Sequence, residues 1–111
     1  MRAEPSHTDS MDRMFTALAD SNRRAMIDHL SGGPASMSDL AHRLGIALPS
    51  ALKHLAILED GGLIRSEKVG RTRTYSMASD AFGGLEAWVA DRKARWNRQF
   101  DRLEKFLEGD A

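Results

Sequence analysis

Residue types able to make and break bonds are few in this sequence and poorly spaced for catalysis. There is no cysteine among the 111 residues, which excludes disulfides, thiolate metal sites and thiol nucleophiles together. The four histidines, His7, His29, His42 and His54, form no pair at the spacing of a helical metal site. Ser50 and His54 lie one helical turn apart, but no third group is placed to orient the imidazole as nucleophilic catalysis requires. Gly83-Gly84 precedes a helical stretch, yet two glycines mark a flexible junction rather than a phosphate-cradling loop, and no GxSxG turn occurs. Neither an enzymatic activity nor a cofactor is expected.

The chemistry on offer is electrostatic. Lys plus Arg and Asp plus Glu number 16 each, so the net charge is zero. The distribution is uneven. Residues 63–77 hold Arg65, Lys68, Arg71 and Arg73 against Glu67 alone, and residues 92–98 hold Arg92, Lys93, Arg95 and Arg98 with no acid. Residues 1–20 are acidic, with Glu4, Asp9, Asp12 and Asp20 against Arg2 and Arg13. A neutral chain can bind nucleic acid through local cations, because phosphate attraction is screened beyond about 8–10 Å. Taken alone, the cluster at 92–98 reads as a solvated face.

The elements that must position these cations follow from periodicity. Residues 1–9 are polar and contain Pro5, and form an expected loose arm ahead of a single domain over 10–108. Met11, Met14, Phe15 and Leu18 predict a first helix at about 10–18. Asp20 or Ser21 caps a second helix reaching about Ser31, with Met26, Ile27 and Leu30 inward, and Gly32-Gly33-Pro34 ends it. Ser36, with Asp39 three residues on, opens a third helix whose stripe is Leu40, Ala41 and Leu44, closed by Gly45. Leu48-Pro49 begins a fourth, with Ala51, Leu55 and Leu58 along one face and Gly61-Gly62 after it. The period then changes. Leu63, Ile64, Val69, Thr72, Thr74 and Tyr75 favour strands, and Gly70-Arg71 makes the turn of a hairpin at about 63–68 and 72–77. A long helix at about 85–107 completes the chain. No apolar run matches a membrane span, and the N-terminus lacks the basic-then-apolar layout of a signal peptide, so a cytoplasmic location is expected.

Two short helices joined by Gly45-Ile46-Ala47 let the second cross the first and protrude, as a helix entering the major groove must. A basic hairpin directly after it can lie beside the groove and contact phosphates or the minor groove. The order helix, helix, helix–turn–helix, hairpin, helix is more specific than any part alone. The expected fold is mainly α with a small β-hairpin, a winged helix-turn-helix.

The stretches ALADSNRRAMIDHL, MSDLAHRLGIALPSALKHLAILEDGGLI and RSEKVGRTRTYSM resemble the ArsR/SmtB family of bacterial winged-helix repressors over about residues 11–107. The most specific parts are Leu18-Ala19-Asp20 with Arg23-Arg24, then Lys53-His54-Leu55, then Leu58 with Gly61-Gly62-Leu63. The resemblance implies a homodimer through the terminal helices and repression at a double-stranded DNA operator near the protein's own gene. The recognition helix of the family commonly reads Ser-Gln-Pro-x-Val-Ser-Lys/Arg-His-Leu, which here is Ala47 to Leu55. Implied DNA contacts are Leu48, Ser50, Ala51, Lys53 and His54 from that helix, and Arg65, Lys68, Arg71 and Arg73 from the hairpin. Ala47 replaces a capping hydroxyl, at a cost of about 1 kcal/mol. Leu48 and Leu52 replace polar groups. A leucine there either packs on a thymine methyl, or seals the turn (Leu48) and packs inward (Leu52).

The metal sites of the family lack their ligands here. Ser36 and Ser38 stand where its sensors carry a Cys-x-Cys pair, and hydroxyls do not replace thiolates. The final helix has no histidine, and Asp91, Glu104 and Glu108 on it read as solvated charge. No regulatory metal is expected. That helix instead carries Leu85, Val89, Arg92, Trp96, Phe100, Leu103 and Leu107 in one stripe. Met11, Met14, Phe15, Trp88, Trp96, Phe100 and Leu103 are therefore the expected dimer interface. A dimer presents two recognition helices and calls for an inverted-repeat operator with half-sites about one DNA turn apart. The competing reading is a winged helix that docks proteins without reading DNA.

Overall fold

The computed structural model describes residues 7–109. The chain divides into two compact units that meet between Ala81 and Phe82 in sequence. The first unit holds α1 (His7–Leu18), α2 (Ser21–Leu30), β1 (Ala35–Ser36), α3 (Met37–Leu44), α4 (Leu48–Asp60), β2 (Ile64–Val69) and β3 (Thr72–Met77). The second is the single helix α5 (Gly83–Gly109).

α1 begins at His7, inside the stretch expected to be arm and ahead of the expected start at residue 10. Asp9 in its first turn complements the helix dipole. Apolar periodicity starts only at Met11, and so misses that turn. The rest of the expected arm, residues 1–6, lies outside the described residues. α2 starts where the sequence indicates. Asp20 is extended and its carboxylate accepts from the Arg23 backbone N–H at 3.1 Å, which satisfies one of the four donors a helix start leaves open.

β1 was not expected. Ala35 pairs with Tyr75 and Ser36 with Thr74, giving a three-stranded antiparallel sheet in the order β1-β3-β2. Two residues are too short to show an alternating pattern. Ser36 also caps α3, its hydroxyl accepting from the Asp39 N–H at 3.1 Å. Gly45 ends α3 at φ 67°, a left-handed conformation that costs glycine nothing and lets α4 begin three residues later. Ala47 gives α4 no side-chain cap, and Pro49 occupies its first turn.

β2 and β3 pair from Ile64 with Met77 to Val69 with Thr72, leaving Gly70-Arg71 as a two-residue turn. Gly70 sits at φ 63°, as the first central position of a hairpin turn that follows the twist of its strands requires. The core of this unit joins Ala17, Met26, Ile27 and Leu30 to Leu40, Ala41, Ala51, Leu55, Leu58, Leu63, Ile64 and Tyr75. Each fully buried large side chain in it stabilises the fold by about 1.5–3 kcal/mol.

α5 spans 27 residues, and none of them is buried. A helix of that length extends about 40 Å. The Arg92 guanidinium stacks on the Trp88 ring at 4.8 Å, and the Trp96 and Phe100 rings meet edge to face at 5.0 Å. Arg92 and Arg95 both pair with Asp91, so the cationic run at 92–98 is partly neutralised within its own helix. Among the described residues, no helix is long and apolar enough to cross a membrane.

Candidate nucleic-acid interface

α3 and α4 form a helix–turn–helix. Its packing fixes which side of α4 is available. Ala51, Leu55 and Leu58 are fully buried, at i, i+4 and i+7 on one stripe. This corrects the expectation for Ala51, which is 0% exposed and cannot touch DNA. The outward side of α4, from its start into the third turn, presents Leu48, Pro49, Ser50, Leu52, Lys53 and Ala56, all exposed. Leu48 is 49% and Leu52 52% exposed. Neither is packed inward.

His54 is half-buried. Its Nδ1 lies 3.2 Å from Nη1 of Arg23 on α2, so one of its ring nitrogens is committed within the protein. The far end of α4 is acidic. Asp60 pairs with Arg13 of α1 at 3.7 Å, and Glu59 accepts from the Ser66 hydroxyl at 3.4 Å. Carboxylates repel phosphate, so the N-terminal half of α4 is the part suited to approach a nucleic acid.

The hairpin separates its four cations. Cross-strand partners share a face, which places Lys68 directly opposite Arg73, on the side of Ile64 and Tyr75. Arg65 belongs to the other face, and Arg71 sits at the turn. Arg73 donates from Nη1 to the Ser66 hydroxyl at 2.9 Å. Arg73, Ser66 and Glu59 thus form a relay from the hairpin to the end of α4. Like charges set opposite each other cost stability, and a bound anion relieves that cost. The ion pairs among the described residues join Arg13 with Asp60, His29 and Arg43 with Asp39, and Arg92 and Arg95 with Asp91. None takes up Lys53, Arg65, Lys68 or Arg71.

Two groups have shifted acidity. The Asp20 carboxyl is held below its ordinary value, chiefly by the Arg23 backbone N–H and further by the Arg23 charge. Burial pushes the Tyr75 phenol up, and the nearby Glu59 carboxylate adds to this. Neither group is on the outward side of α4. Ser36, at one of the family's thiolate positions, is occupied as the α3 cap. Among the described residues, no group of three His, Asp or Glu side chains is arranged to hold a metal ion.

Sequence reasoning missed the role of Arg23, noted only as part of a motif, and the Glu59–Ser66–Arg73 relay. Both join residues distant in sequence, and no local pattern signals them. Ser50, Lys53, Arg65, Lys68, Arg71 and Arg73 are solvent-facing. Leu48 and Leu52 accompany Ser50 and Lys53 on α4.

A helix–turn–helix followed at once by a cation-bearing hairpin defines a winged helix-turn-helix protein. Comparison with known proteins is consistent with this. The family model of the helix-turn-helix domain matches residues 18–67. The chain is 30% identical over 102 residues to the HTH-type transcriptional regulator Rv2034 of Mycobacterium tuberculosis, covering 92% of each chain. It is 34% identical over 79 residues to the transcriptional repressor SdpR of Bacillus subtilis, covering 71% of this chain and 88% of that protein. The solved ArsR family transcriptional regulator RHA00566 superposes with a TM-score of 0.75 at 44% identity, over 79% of this chain and 97% of that one. The chain belongs to the ArsR/SmtB family of helix-turn-helix transcriptional regulators.

Proposed function

We propose that this regulator is a repressor that binds an inverted-repeat DNA operator as a homodimer, in the cytoplasm and without catalysing a reaction. The observation that carries the reading is the outward side of α4, which is followed directly by Lys68, Arg71 and Arg73 on the hairpin. Ser50 and Lys53 are the proposed polar contacts in the groove. Lys68, Arg71 and Arg73 are the proposed phosphate contacts, with Arg65 on the opposite hairpin face as an outer one.

Dimerisation is supported by exposed apolar surface. Trp96 is 62%, Phe100 49% and Leu103 51% exposed on α5, and Phe15 of α1 is 44% exposed. Large side chains at this density along one helix face favour burial against a second copy, and two-fold dimers are the commonest assembly. Met11, Met14 and Trp88 are assigned to the same interface.

The test is an electrophoretic shift with the DNA upstream of the protein's own coding sequence, repeated over a salt series. A saturable shift whose affinity falls steeply with salt is expected, because each phosphate contact releases counterions. Salt-independent binding, or no binding, would remove the reading.

A further inference from the structure

We infer that the recognition helix reads thymine methyl groups through Leu48, Leu52 and Ala56, rather than reading base edges mainly by hydrogen bonds. The inference rests on the proposed operator binding and specifies its chemistry. Of Arg, Lys, Asn and Gln, the side chains that make specific contacts to guanine or adenine in the major groove, α4 contains only Lys53. His54, the one aromatic nitrogen donor or acceptor on the helix, turns toward Arg23 at 3.2 Å. Only Ser50 and Lys53 remain as polar groups on the exposed side of the first two turns.

What fills that side is aliphatic. Leu48, Leu52 and Ala56 lie at i, i+4 and i+8, neighbours along one helical ridge, and all three are exposed. Asp60, paired with Arg13, is the next residue on that row, where the apolar ridge ends. The ridge belongs to the same compact unit as Lys68, Arg71 and Arg73, so an apolar strip is continuous in sequence with a cationic wing. A protein partner would have to accommodate that charge, whereas DNA presents both phosphates and, at each thymine, a C5-methyl group on the major-groove edge. Specificity would then fall on runs of A·T pairs whose methyls line up along the groove, with Lys53 fixing register at a phosphate or guanine.

The experiment selects duplexes from a randomised library with the full-length chain and resynthesises the enriched sequence with deoxyuridine at each thymidine in turn. Uracil keeps every hydrogen-bonding group and lacks only the methyl. Loss of one buried methyl contact is expected to weaken binding about fourfold, at one or two defined thymines per half-site. In Leu48→Ala or Leu52→Ala the affected position should lose its sensitivity to uracil. Both residues are about half exposed, and thermal melting verifies that each variant is folded. If Leu48→Ala disturbs the turn, Leu52→Ala alone decides. Specific duplexes bound equally well with uracil, or a uracil effect undiminished in both variants, overturn the methyl readout and leave operator binding intact. Failure to enrich any duplex overturns operator binding itself and reassigns the ridge to protein docking.

Discussion

Arg23 of α2 reaches His54 of α4, Nη1 to Nδ1 at 3.2 Å. The same guanidinium donates from Nε to the Ala17 carbonyl at 2.7 Å and from Nη2 to the Thr16 carbonyl at 3.0 Å. A guanidinium only donates, so Nδ1 is the acceptor and the ring proton sits on Nε2. One side chain therefore closes carbonyls in the last turn of α1, anchors α2 and braces α4, whose azimuth the buried Ala51, Leu55 and Leu58 set. The residues offered to DNA depend on that azimuth, since a rotation of one residue moves the outward side of a helix by about 100°.

Arg23→Ala should destabilise the protein by about 1–2 kcal/mol, because it removes charge-assisted bonds from the part-buried Ala17 carbonyl and the exposed Thr16 carbonyl. Lysine should not rescue it, as an ammonium lacks the planar fork that serves three acceptors in one plane. Urea denaturation of both variants checks this. A stability equal to wild type in Arg23→Ala would show that the three bonds contribute nothing net.

Asp20 is expected to make part of the stability acid-sensitive. Its carboxyl is depressed by the Arg23 N–H, so the folded state binds the proton less readily than the unfolded state does. The contribution is fully present above the ordinary carboxylate value and is lost as pH falls through the lowered one. Asp20→Asn keeps a cap at the start of α2 and should flatten that part of the pH profile. The gap in melting temperature between wild type and Asp20→Asn, followed downward from pH 7, should narrow as pH falls below the ordinary carboxylate value. Parallel curves for wild type and Asp20→Asn would exclude this carboxyl as the cause.

Much of the fold was legible because local chemistry and tertiary packing agree in it. Asp20, Ser36 and Gly45 bound their helices as their types suggest, and Gly70 makes the turn its flanking strand formers call for. What could not be read is non-local. β1 exists only because Tyr75 and Thr74 pair with Ala35 and Ser36. Gly61 reads as a helix stop, yet it also stands against α1, where an added Cβ would lie 3.1 Å from the Arg13 carbonyl oxygen. The family pattern implies a DNA contact at Ala51, whereas its own spacing from Leu55 and Leu58 places it inward. For Leu52 the sequence also allows an inward reading, and its exposure decides against that one.

Salt separates the proposed phosphate contacts on the hairpin from the groove contact of Lys53 on α4. Lys53→Ala and Arg71→Ala should each weaken DNA binding by about 1–3 kcal/mol. For a phosphate contact, the slope of log affinity against log salt should also fall by about 1 per subunit. Ser66→Ala is expected to act differently. It breaks the link from Arg73 to Glu59, which loosens the Arg73 side chain without removing its charge, so affinity drops while the slope holds. An equal loss of slope in Ser66→Ala would mean that the freed Arg73 no longer reaches its phosphate.

Self-association can be tested on α5 without touching the DNA-binding unit. Trp96, Phe100 and Leu103 carry the largest block of exposed apolar surface in the middle of the helix, and the two rings are already in edge-to-face contact at 5.0 Å. Aromatic anchors of this kind dominate interface energetics, and truncating one at the centre of an interface typically costs 2 kcal/mol or more. Trp96→Ala with Phe100→Ala should therefore shift sedimentation from dimer to monomer at micromolar concentration. The residues of α2, α3 and α4 are unchanged, so the far-UV spectrum should keep its helical shape. DNA affinity should fall steeply, because one subunit holds one half-site with half the phosphate contacts. A doubly substituted protein that stays dimeric would place the interface away from these rings, and a wild-type chain that sediments as a monomer would remove the two-fold operator with it.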